Sequence, residues 1–268
     1  MKVYISADME GISGVVNNEH TDRNGREHDR ARIWMTEEVN AAIEGALDAG
    51  ATEIIVNDSH GTMRNIILES LNPAAKLITG SPKRYSMVEC LDETFDAAIF
   101  IGYHARAGSS GVLCHTYTDS VEYVKIDEKE VGETGINGGV AGYYGVPLIL
   151  VSGDDVLCNE AKALIPGIYT VEVKKALSRN AALCLSLNSA HSLIRTTVKE
   201  ALFHKDNIKP LTFNKPVLLE VRFTNPAYAD AASTIPGVKR IDSKTLTYMC
   251  DDYLIAFDAF RSMINIES

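Results

Sequence analysis

The chain has 268 residues, with 26 Lys or Arg against 36 Asp or Glu, so its formal net charge is −10. This acidic balance argues against nucleic-acid binding, because phosphate contacts need clustered basic side chains, and the pair Lys174-Lys175 is interpreted as solvated surface. No segment approaches the ~20 uninterrupted apolar residues of a membrane span, and the apolar run before Asp8 is too short for a signal peptide. We therefore expect a cytoplasmic protein without a nucleic-acid or membrane partner.

Short β-rich apolar runs alternate with helical patterns over the first ~150 residues, which predicts a largely parallel sheet flanked by helices. The predicted strands cover residues 2–6, 53–57, 76–79, 96–102 and 147–152, and the predicted helices cover residues 29–49, 62–71 and 81–91. Residues 121–126 and 129–131 are typical of a hairpin joined at Asp127-Glu128, and a glycine-rich helix follows. The fold class indicated is α/β.

The pattern changes after Gly153. Helices are predicted at residues 154–164, 189–204 and 253–264, and strands at residues 169–174 and 216–223. We place a soft boundary near residue 160, which gives a larger α/β domain over residues 1–160 and a smaller α+β domain over residues 161–268, packed against the first.

The cysteines indicate neither a disulfide framework nor a thiolate metal site. They are odd in number, far apart and without a C-x-x-C pair, and we expect five small buried apolar residues. Their positions are Cys90, Cys114, Cys158, Cys184 and Cys250.

Metal-ligating residue types follow three of the predicted strands. Asp8 and Glu10 come directly after the first strand, His60 follows the second and His104 follows the fourth. Ligands of open α/β sheets bind beyond the carboxyl ends of the strands, and imidazole with carboxylate is the ligand set of Zn²⁺ and its divalent neighbours. The alternative is that each histidine is a hydrogen-bonded loop residue and that Asp8 caps the following turn.

Two further residues are candidates for the same site. His115 follows a glycine-rich loop that could fold back over the metal-bearing strands, and Glu133 lies in a glycine-rich turn where a carboxylate suits a second metal. A structural role for His115 and an exposed turn for Glu133 are the open alternatives. His20 and His28 lie in a polar stretch and are interpreted as surface or lid residues.

Other chemistries lack their motifs. No G-x-G-x-x-G follows the first strand, and the chain has no G-x-x-x-x-G-K-[ST], no G-x-S-x-G and no H-E-x-x-H. The sequence therefore does not indicate a protein that binds dinucleotides or nucleoside triphosphates. It also does not indicate a serine hydrolase of the nucleophile-elbow type or a zinc protease with the helical H-E-x-x-H motif.

Several motifs, taken together and in order, resemble the DppA family of zinc-dependent D-aminopeptidases. The segments are Ser6-Ala7-Asp8-Met9-Glu10-Gly11, Val56-Asn57-Asp58-Ser59-His60, Gly102-Tyr103-His104-Ala105-Arg106, Val131-Gly132-Glu133 and Gly153-Asp154-Asp155. The resemblance implies two zinc ions per chain held by Asp8, Glu10, His60, His104 and Glu133, with the Asp bridging, and a catalytic histidine at His115. It also implies a ring-like homo-oligomer, a decamer of two stacked pentamers.

The resulting hypothesis is a metallo-aminopeptidase that hydrolyses short peptides with an N-terminal D-residue, such as D-Ala-D-Ala. A metal-activated water would attack the peptide bond, and His115 could act as a general acid/base or as a nucleophile. The alternatives are another di-metal hydrolase, an amidase or a phosphoesterase, and a metal-containing protein that binds peptides without cleaving them.

Overall fold

The main sheet of the protein has seven strands in the order β3-β2-β1-β4-β7-β8-β9. A computed structural model describes residues 1–266. The strands of this sheet are β1 (Lys2–Ala7), β2 (Glu53–Asp58), β3 (Ala75–Ile78), β4 (Ala97–Ile101), β7 (Leu148–Asp154), β8 (Tyr169–Ser178) and β9 (Ala181–Cys184). All neighbouring pairs are parallel except β8 with β9. Every residue of β4 and of β7 is buried, as expected for central strands covered on both faces.

A second sheet is antiparallel and has the order β11-β12-β10-β5-β6. Its strands are β5 (Val121–Ile126), β6 (Lys129–Val131), β10 (Val217–Phe223), β11 (Lys239–Arg240) and β12 (Thr245–Cys250). The predicted hairpin is confirmed, since β5 pairs with β6 and both Asp127 and Glu128 have positive φ, as a tight hairpin turn requires. Each sheet takes strands from both sides of residue 160, so the sheets do not divide there, and the domain boundary stays a prediction.

Seven α-helices are present in residues 1–266. They are α1 (Asn18–Thr21), α2 (His28–Asp48), α3 (Glu133–Tyr143), α4 (Asp155–Leu164), α5 (Leu187–Phe203), α6 (Pro226–Ala232) and α7 (Tyr253–Asn265). Helices α2 and α5 pack against each other and against the main sheet, whereas α7 packs on the antiparallel sheet and on α3. The mostly parallel α/β sheet flanked by helices is therefore confirmed. None of these helices is both long and apolar enough to cross a membrane.

Two predicted helices are wrong. Residues 62–71 contain only a 3₁₀ turn at Leu68–Ser70, and residues 81–91 contain only one at Ser86–Val88. In the first segment the Asp58 carboxylate accepts the backbone N–H of Ile66, which offers the backbone a loop closure instead of a helix. In the second, Ser86 and Cys90 have positive φ, which a right-handed helix cannot contain.

The expected exposure of four residues is also wrong. Lys174 is buried, although its neighbour Lys175 is exposed as predicted. Cys90 is exposed, and Cys184 and Cys250 are half-buried, so only two of the five free cysteines are buried residues. Burial here depends on which strands and loops cover a position, and a local pattern does not carry that information.

Candidate metal centre and active site

The candidate site lies where the order of strands reverses. Strand β1 has β2 on one side and β4 on the other, and the chain reaches β4 only after building β2 and β3. The loops that follow β1 and β4 therefore leave the sheet in different directions and open a crevice at its carboxyl edge, the usual ligand position in this architecture. Asp8, His60 and His104 follow the three strands at this point.

Glycines allow the two loops of the crevice to touch. The backbone N–H of Gly11 donates to the Gly102 carbonyl at 2.7 Å. A Cβ on Gly11 would lie 1.9 Å from the Tyr103 carbonyl oxygen, and Gly102 has a φ of +70°. This close approach, possible only without side chains, brings the loop with Asp8 and Glu10 beside the loop with His104.

All five predicted ligands meet in one buried cluster. Asp8 Oδ1 lies 3.3 Å from His60 Nδ1, and Asp8 Oδ2 lies 3.5 Å from His104 Nε2. Glu10 Oε2 is 2.9 Å from His60 Nδ1, and Glu133 Oε1 is 3.4 Å from His104 Nε2. The two oxygens of Asp8 thus face two different imidazoles, so this carboxylate stands between two neighbouring ligand groups.

Backbone carbonyls hold the far nitrogen of each imidazole. His60 Nε2 donates to the Thr21 carbonyl, His104 Nδ1 to the Ala105 carbonyl and His115 Nδ1 to the Leu113 carbonyl, all at 2.9 Å. In its neutral form, an imidazole that donates from one nitrogen presents a lone pair on the other. The three inward nitrogens face the carboxylates, so the arrangement needs positive charge between them, either protons on the imidazoles or a bound cation.

The electrostatics show the same excess of negative charge. Burial, and then repulsion from Glu10, raises the pKa of Asp8 to about 7. The carboxylates raise the pKa values of His60 and His104 well above the usual range against the opposing effect of burial. His104 Nε2 is buried and makes no hydrogen bond with any of residues 1–266. A site that raises proton affinity in this way and leaves a buried imidazole nitrogen without a hydrogen bond fits a divalent cation.

His115 lies beside the cluster. Its ring stacks on the His104 ring at 4.1 Å between centroids and 12° between planes, and its Nε2 lies 3.7 Å from Glu133 Oε1. Its side chain is 21% exposed, against 1% for His104. It therefore contacts both the ligand cluster and the solvent-accessible space next to it.

The loop that carries His115 is held under strain. Leu113 and Tyr117 on either side have φ of 51° and 62°, an unfavourable region for such side chains. Asp154, buried at the end of β7, accepts the backbone N–H of Val112 at 2.7 Å while it also caps α4. The Glu133 carboxylate accepts the Tyr117 N–H at 2.6 Å. These anchors keep the imidazole over the site.

The sequence pattern suggested that Glu133 lies in a turn, but Glu133 is the first residue of α3. Its carboxylate lies near the partial positive charge of the helix N-terminus, which favours the ionised form, and the pKa of Glu133 is lowered because the His104 imidazole outweighs burial.

Two triads of potential ligand atoms occur within residues 1–266, and both contain His104. One joins His104 with Asp8 and Glu10, and the other joins His104 with His115 and Glu133. His60 contacts the first triad through Asp8 and Glu10. The two triads overlap at His104, so potential ligand atoms surround this imidazole on both sides, and His115 belongs to one of the two sets.

Sequence reasoning missed Lys174. Its ammonium, buried on β8, donates to the backbone carbonyls of Glu10 at 2.5 Å, Ile12 at 2.9 Å and Val15 at 2.6 Å. Three acceptors match the three donors of an ammonium group, although burial lowers the pKa of Lys174 to about 8. The side chain therefore fixes the loop that carries Asp8 and Glu10. No motif marks it, because its partners lie about 160 residues earlier in the chain.

Glu38 on α2 holds the same loop from the other side. Its carboxylate accepts the Ser13 backbone N–H at 2.8 Å, and burial raises its pKa to about 7. The Ser13 hydroxyl in turn donates to the Leu185 carbonyl at 2.8 Å. The loop is thus anchored to α2, to β8 and to the segment after β9.

Replacing Lys174 with methionine should weaken both the fold and the metal site. Three buried carbonyls would lose their donor, and each unsatisfied group costs about 1–3 kcal/mol, so we expect the free energy of unfolding to fall by roughly 2–5 kcal/mol. Urea unfolding and zinc titration of Lys174→Met measure the two effects. Lys175→Met, exposed on the same strand, is the matched control and should change neither. Unaltered zinc affinity in folded Lys174→Met would contradict a positioning role.

His20 and His28 are buried, so their interpretation as surface residues is wrong. His20 lies 3.3 Å from Glu27 and packs on Trp34, and His28 Nδ1 lies 2.9 Å from the His20 carbonyl. Their segment is nevertheless close to the cluster, since His28 lines a cavity of about 380 Å³ together with Glu10, His60 and His115. A second cavity of about 280 Å³ opens on the same cluster beside α7.

The fold and the site together define a class: an α/β protein with a buried carboxylate–imidazole cluster that can hold divalent cations, next to an accessible histidine in a cleft. A family model described as D-aminopeptidase, Peptidase M55, matches residues 1–262. The chain belongs to this D-aminopeptidase family and is therefore a peptidase, a hydrolase.

Two comparisons agree with the family. A D-aminopeptidase from Bacillus subtilis strain 168 is 43% identical over 267 residues, covering 99% of this chain and 97% of that protein. The solved structure of the zinc-dependent D-aminopeptidase DppA from Bacillus subtilis, described as a self-compartmentalizing protease, matches with a TM-score of 0.97 and 43% identity. That match covers 98% of this chain and 97% of the other. The family resemblance and the fold class expected from the sequence are both confirmed.

Proposed function

We propose that the protein is a di-zinc aminopeptidase that cleaves short peptides with an N-terminal D-residue, such as D-Ala-D-Ala. One observation carries the proposal: both oxygens of the buried Asp8 face imidazole nitrogens whose other nitrogens are fixed by backbone carbonyls. A carboxylate between two imidazole lone pairs is the arrangement of a bridging ligand. The family membership and the zinc-dependent relative support zinc as the metal.

The proposed ligands are Asp8, Glu10, His60, His104 and Glu133, with Asp8 shared by two ions. Carboxylate oxygen and neutral imidazole are ordinary zinc donors. When bound, the pair of ions supplies a Lewis acid for the scissile carbonyl and lowers the pKa of coordinated water from ~15.7 toward ~7. The carbonyls of Thr21 and Ala105 fix the tautomers of His60 and His104, a role that outer partners of ligating histidines commonly fill.

His115 is the proposed acid/base. The carbonyl of Leu113 fixes the proton on Nδ1, so Nε2 is free to accept a proton and then deliver it to the leaving amine nitrogen. The Glu133 carboxylate lies 3.7 Å from this Nε2. The same atom could instead attack the carbonyl carbon, and accumulation of a covalent adduct in rapid-quench experiments distinguishes the nucleophilic role from the acid/base role.

We also propose that the chain works in the cytoplasm and assembles into a ring-like homo-oligomer, a decamer of two stacked pentamers. Support for an assembly comes from the solved relative, which is described as a self-compartmentalizing protease. Light scattering of the purified protein measures the oligomeric mass, and a monomer under all conditions would refute the assembly.

Hydrolysis of D-Ala-D-Ala and of L-Ala-L-Ala by the zinc-loaded protein tests the activity and its stereochemistry. We expect release of free alanine from the D,D peptide at a kcat/KM at least roughly tenfold above that for the L,L peptide, a modest binding difference for two inverted chiral centres. Cleavage of a chromogenic phosphate ester but of neither peptide would favour a phosphoesterase. Peptide binding without turnover would favour a binding protein.

A further inference from the structure

The cavity beside α7 is lined both by the carboxylates of the cluster and by a cationic side chain. Its volume is about 280 Å³, near the lower limit of ligand pockets at about 300 Å³. Its lining includes Asp8, Glu10, His115 and Glu133 together with Arg261 of α7. Arg261 is the only Lys or Arg among the described residues that line this space.

The guanidinium of Arg261 is held in place but has no acidic partner in the described part of the chain. It forms no ion pair with any of residues 1–266, and it lies over the ring of Tyr117 at 4.8 Å from the centroid. Tyr117 is itself fixed, because its hydroxyl donates to Asn137 at 2.6 Å and its backbone N–H donates to Glu133 at 2.6 Å. Tyr117 thus contacts both Arg261 and the cluster. Its ring packs on the face of the guanidinium, and the N–H groups of Arg261 at the edge of that plane stay available.

The cations of the other cavity are less suited to bind a ligand. That cavity contains Arg23 and Arg179 together with Asp22 and Asp119. Arg179 is paired with Asp119 at 3.3 Å and also donates to the Cys114 carbonyl. Arg23 is exposed and shares its space with the two aspartates. Within residues 1–266, only Arg261 combines a guanidinium that has no ion-pair partner there with a cavity whose acids are all candidate metal ligands.

We propose that Arg261 binds the C-terminal carboxylate of a short peptide whose scissile bond lies at the metal cluster. The inference rests on the proposed peptidase function and adds the residue that selects substrate length. A guanidinium presents two parallel N–H donors that match a carboxylate, and the adjacent aromatic ring keeps their plane fixed. In a cavity of about 280 Å³, the C-terminal carboxylate of a peptide two or three residues long would meet this cation, whereas a longer peptide would place a neutral amide there.

Kinetics with D-Ala-D-Ala and with its C-terminal carboxamide test the assignment. The zinc-loaded wild type should prefer the free acid by roughly 10- to 100-fold in kcat/KM, the range for a charge-assisted hydrogen-bonded pair. Arg261→Gln should lose this preference, mainly through a higher KM for the acid, while activity on the carboxamide stays within about twofold. Arg261→Lys, which keeps the positive charge but lacks the two parallel N–H donors, should recover part of the preference.

Arg23→Gln is the matched control, since it removes the cation of the other cavity and should leave the preference unchanged. The proposal is overturned if Arg261→Gln lowers acid and carboxamide equally, or if Arg23→Gln abolishes the preference instead. Calorimetric binding of both peptides to zinc-loaded His115→Ala separates this proposal from the proposed function. Loss of acid preference on Arg261→Gln in that background supports the carboxylate site even if no variant turns over, whereas equal binding of acid and carboxamide refutes it.

Discussion

Replacing His115 with alanine should abolish peptide hydrolysis while the metal stays bound. His115 Nε2 is partly exposed beside the cluster, and its Nδ1 is fixed by the Leu113 carbonyl. An acid/base residue in this position contributes roughly 10²–10⁴-fold to the rate, so kcat should fall by that factor with two zinc ions still present per chain. Hydrolysis of D-Ala-D-Ala and metal analysis of the same sample measure both quantities.

The control for this change is His204→Ala, which removes an exposed histidine at the end of α5. It should leave activity and zinc content unaltered. The structure also places His115 within reach of a ligand triad with His104 and Glu133. If His115→Ala loses one zinc ion per chain together with its activity, His115 is a ligand and its role as a free acid/base is refuted.

Replacing Asp8 with asparagine should remove both the metal pair and the activity. The carboxylate faces two imidazoles with its two oxygens, whereas an amide offers one neutral oxygen and a donor that repels a cation. We expect zinc content to fall to one ion or fewer per chain, and kcat to fall by roughly 10³-fold or more, since the metal contributes several kcal/mol to the barrier. Asp22→Asn, exposed in the neighbouring cavity, is the control.

The same variant has a distinct signature without metal. The folded-state pKa of Asp8, about 7, lies above its ordinary value of 3.8. Ionising the group therefore destabilises the fold, and the stability of metal-free wild type should fall as the pH rises through 7. Asp8→Asn cannot ionise, so its denaturant midpoint should depend less on pH between 5 and 8. If the midpoints of both proteins depended on pH to the same extent, burial and repulsion from Glu10 would not destabilise ionised Asp8.

The sequence predicted those residues of the candidate site that directly follow a strand. Asp8, His60 and His104 are each within three residues of a strand end, and parallel strands bring their carboxyl ends to one edge of a sheet. Glu133 and His115 were weaker predictions from spacing, because each depends on a loop whose path only the packing defines. The family resemblance pointed to both residues. In the structure, Glu133 Oε1 lies 3.4 Å from His104 Nε2 and 3.7 Å from His115 Nε2.

The predicted helices at 62–71 and 81–91 failed for a common reason. Both segments contain helix-compatible residues, but buried side chains compete for their backbone: Asp58 binds the N–H of Ile66, and Asn57 donates to the Ser86 carbonyl at 3.0 Å. Helix propensity is a weak preference that tertiary hydrogen bonds override. The carboxylate that closes the first loop belongs to β2, so the failure reflects a contact between elements and not a local signal.

By itself, the sequence determined the alternating α/β order, the candidate ligand residues at the strand ends and the family, since these depend on residues near one another or on an ordered set of motifs. Only the tertiary structure decided the rest. Lys174 lies beneath the ligand loop because β8 packs next to β7, and Arg261 reaches the cavity because α7 lies on the antiparallel sheet against α3. Contacts across more than 100 residues are set by how whole elements pack to bury apolar surface, and no local pattern of residues specifies which side chain that packing brings to the site.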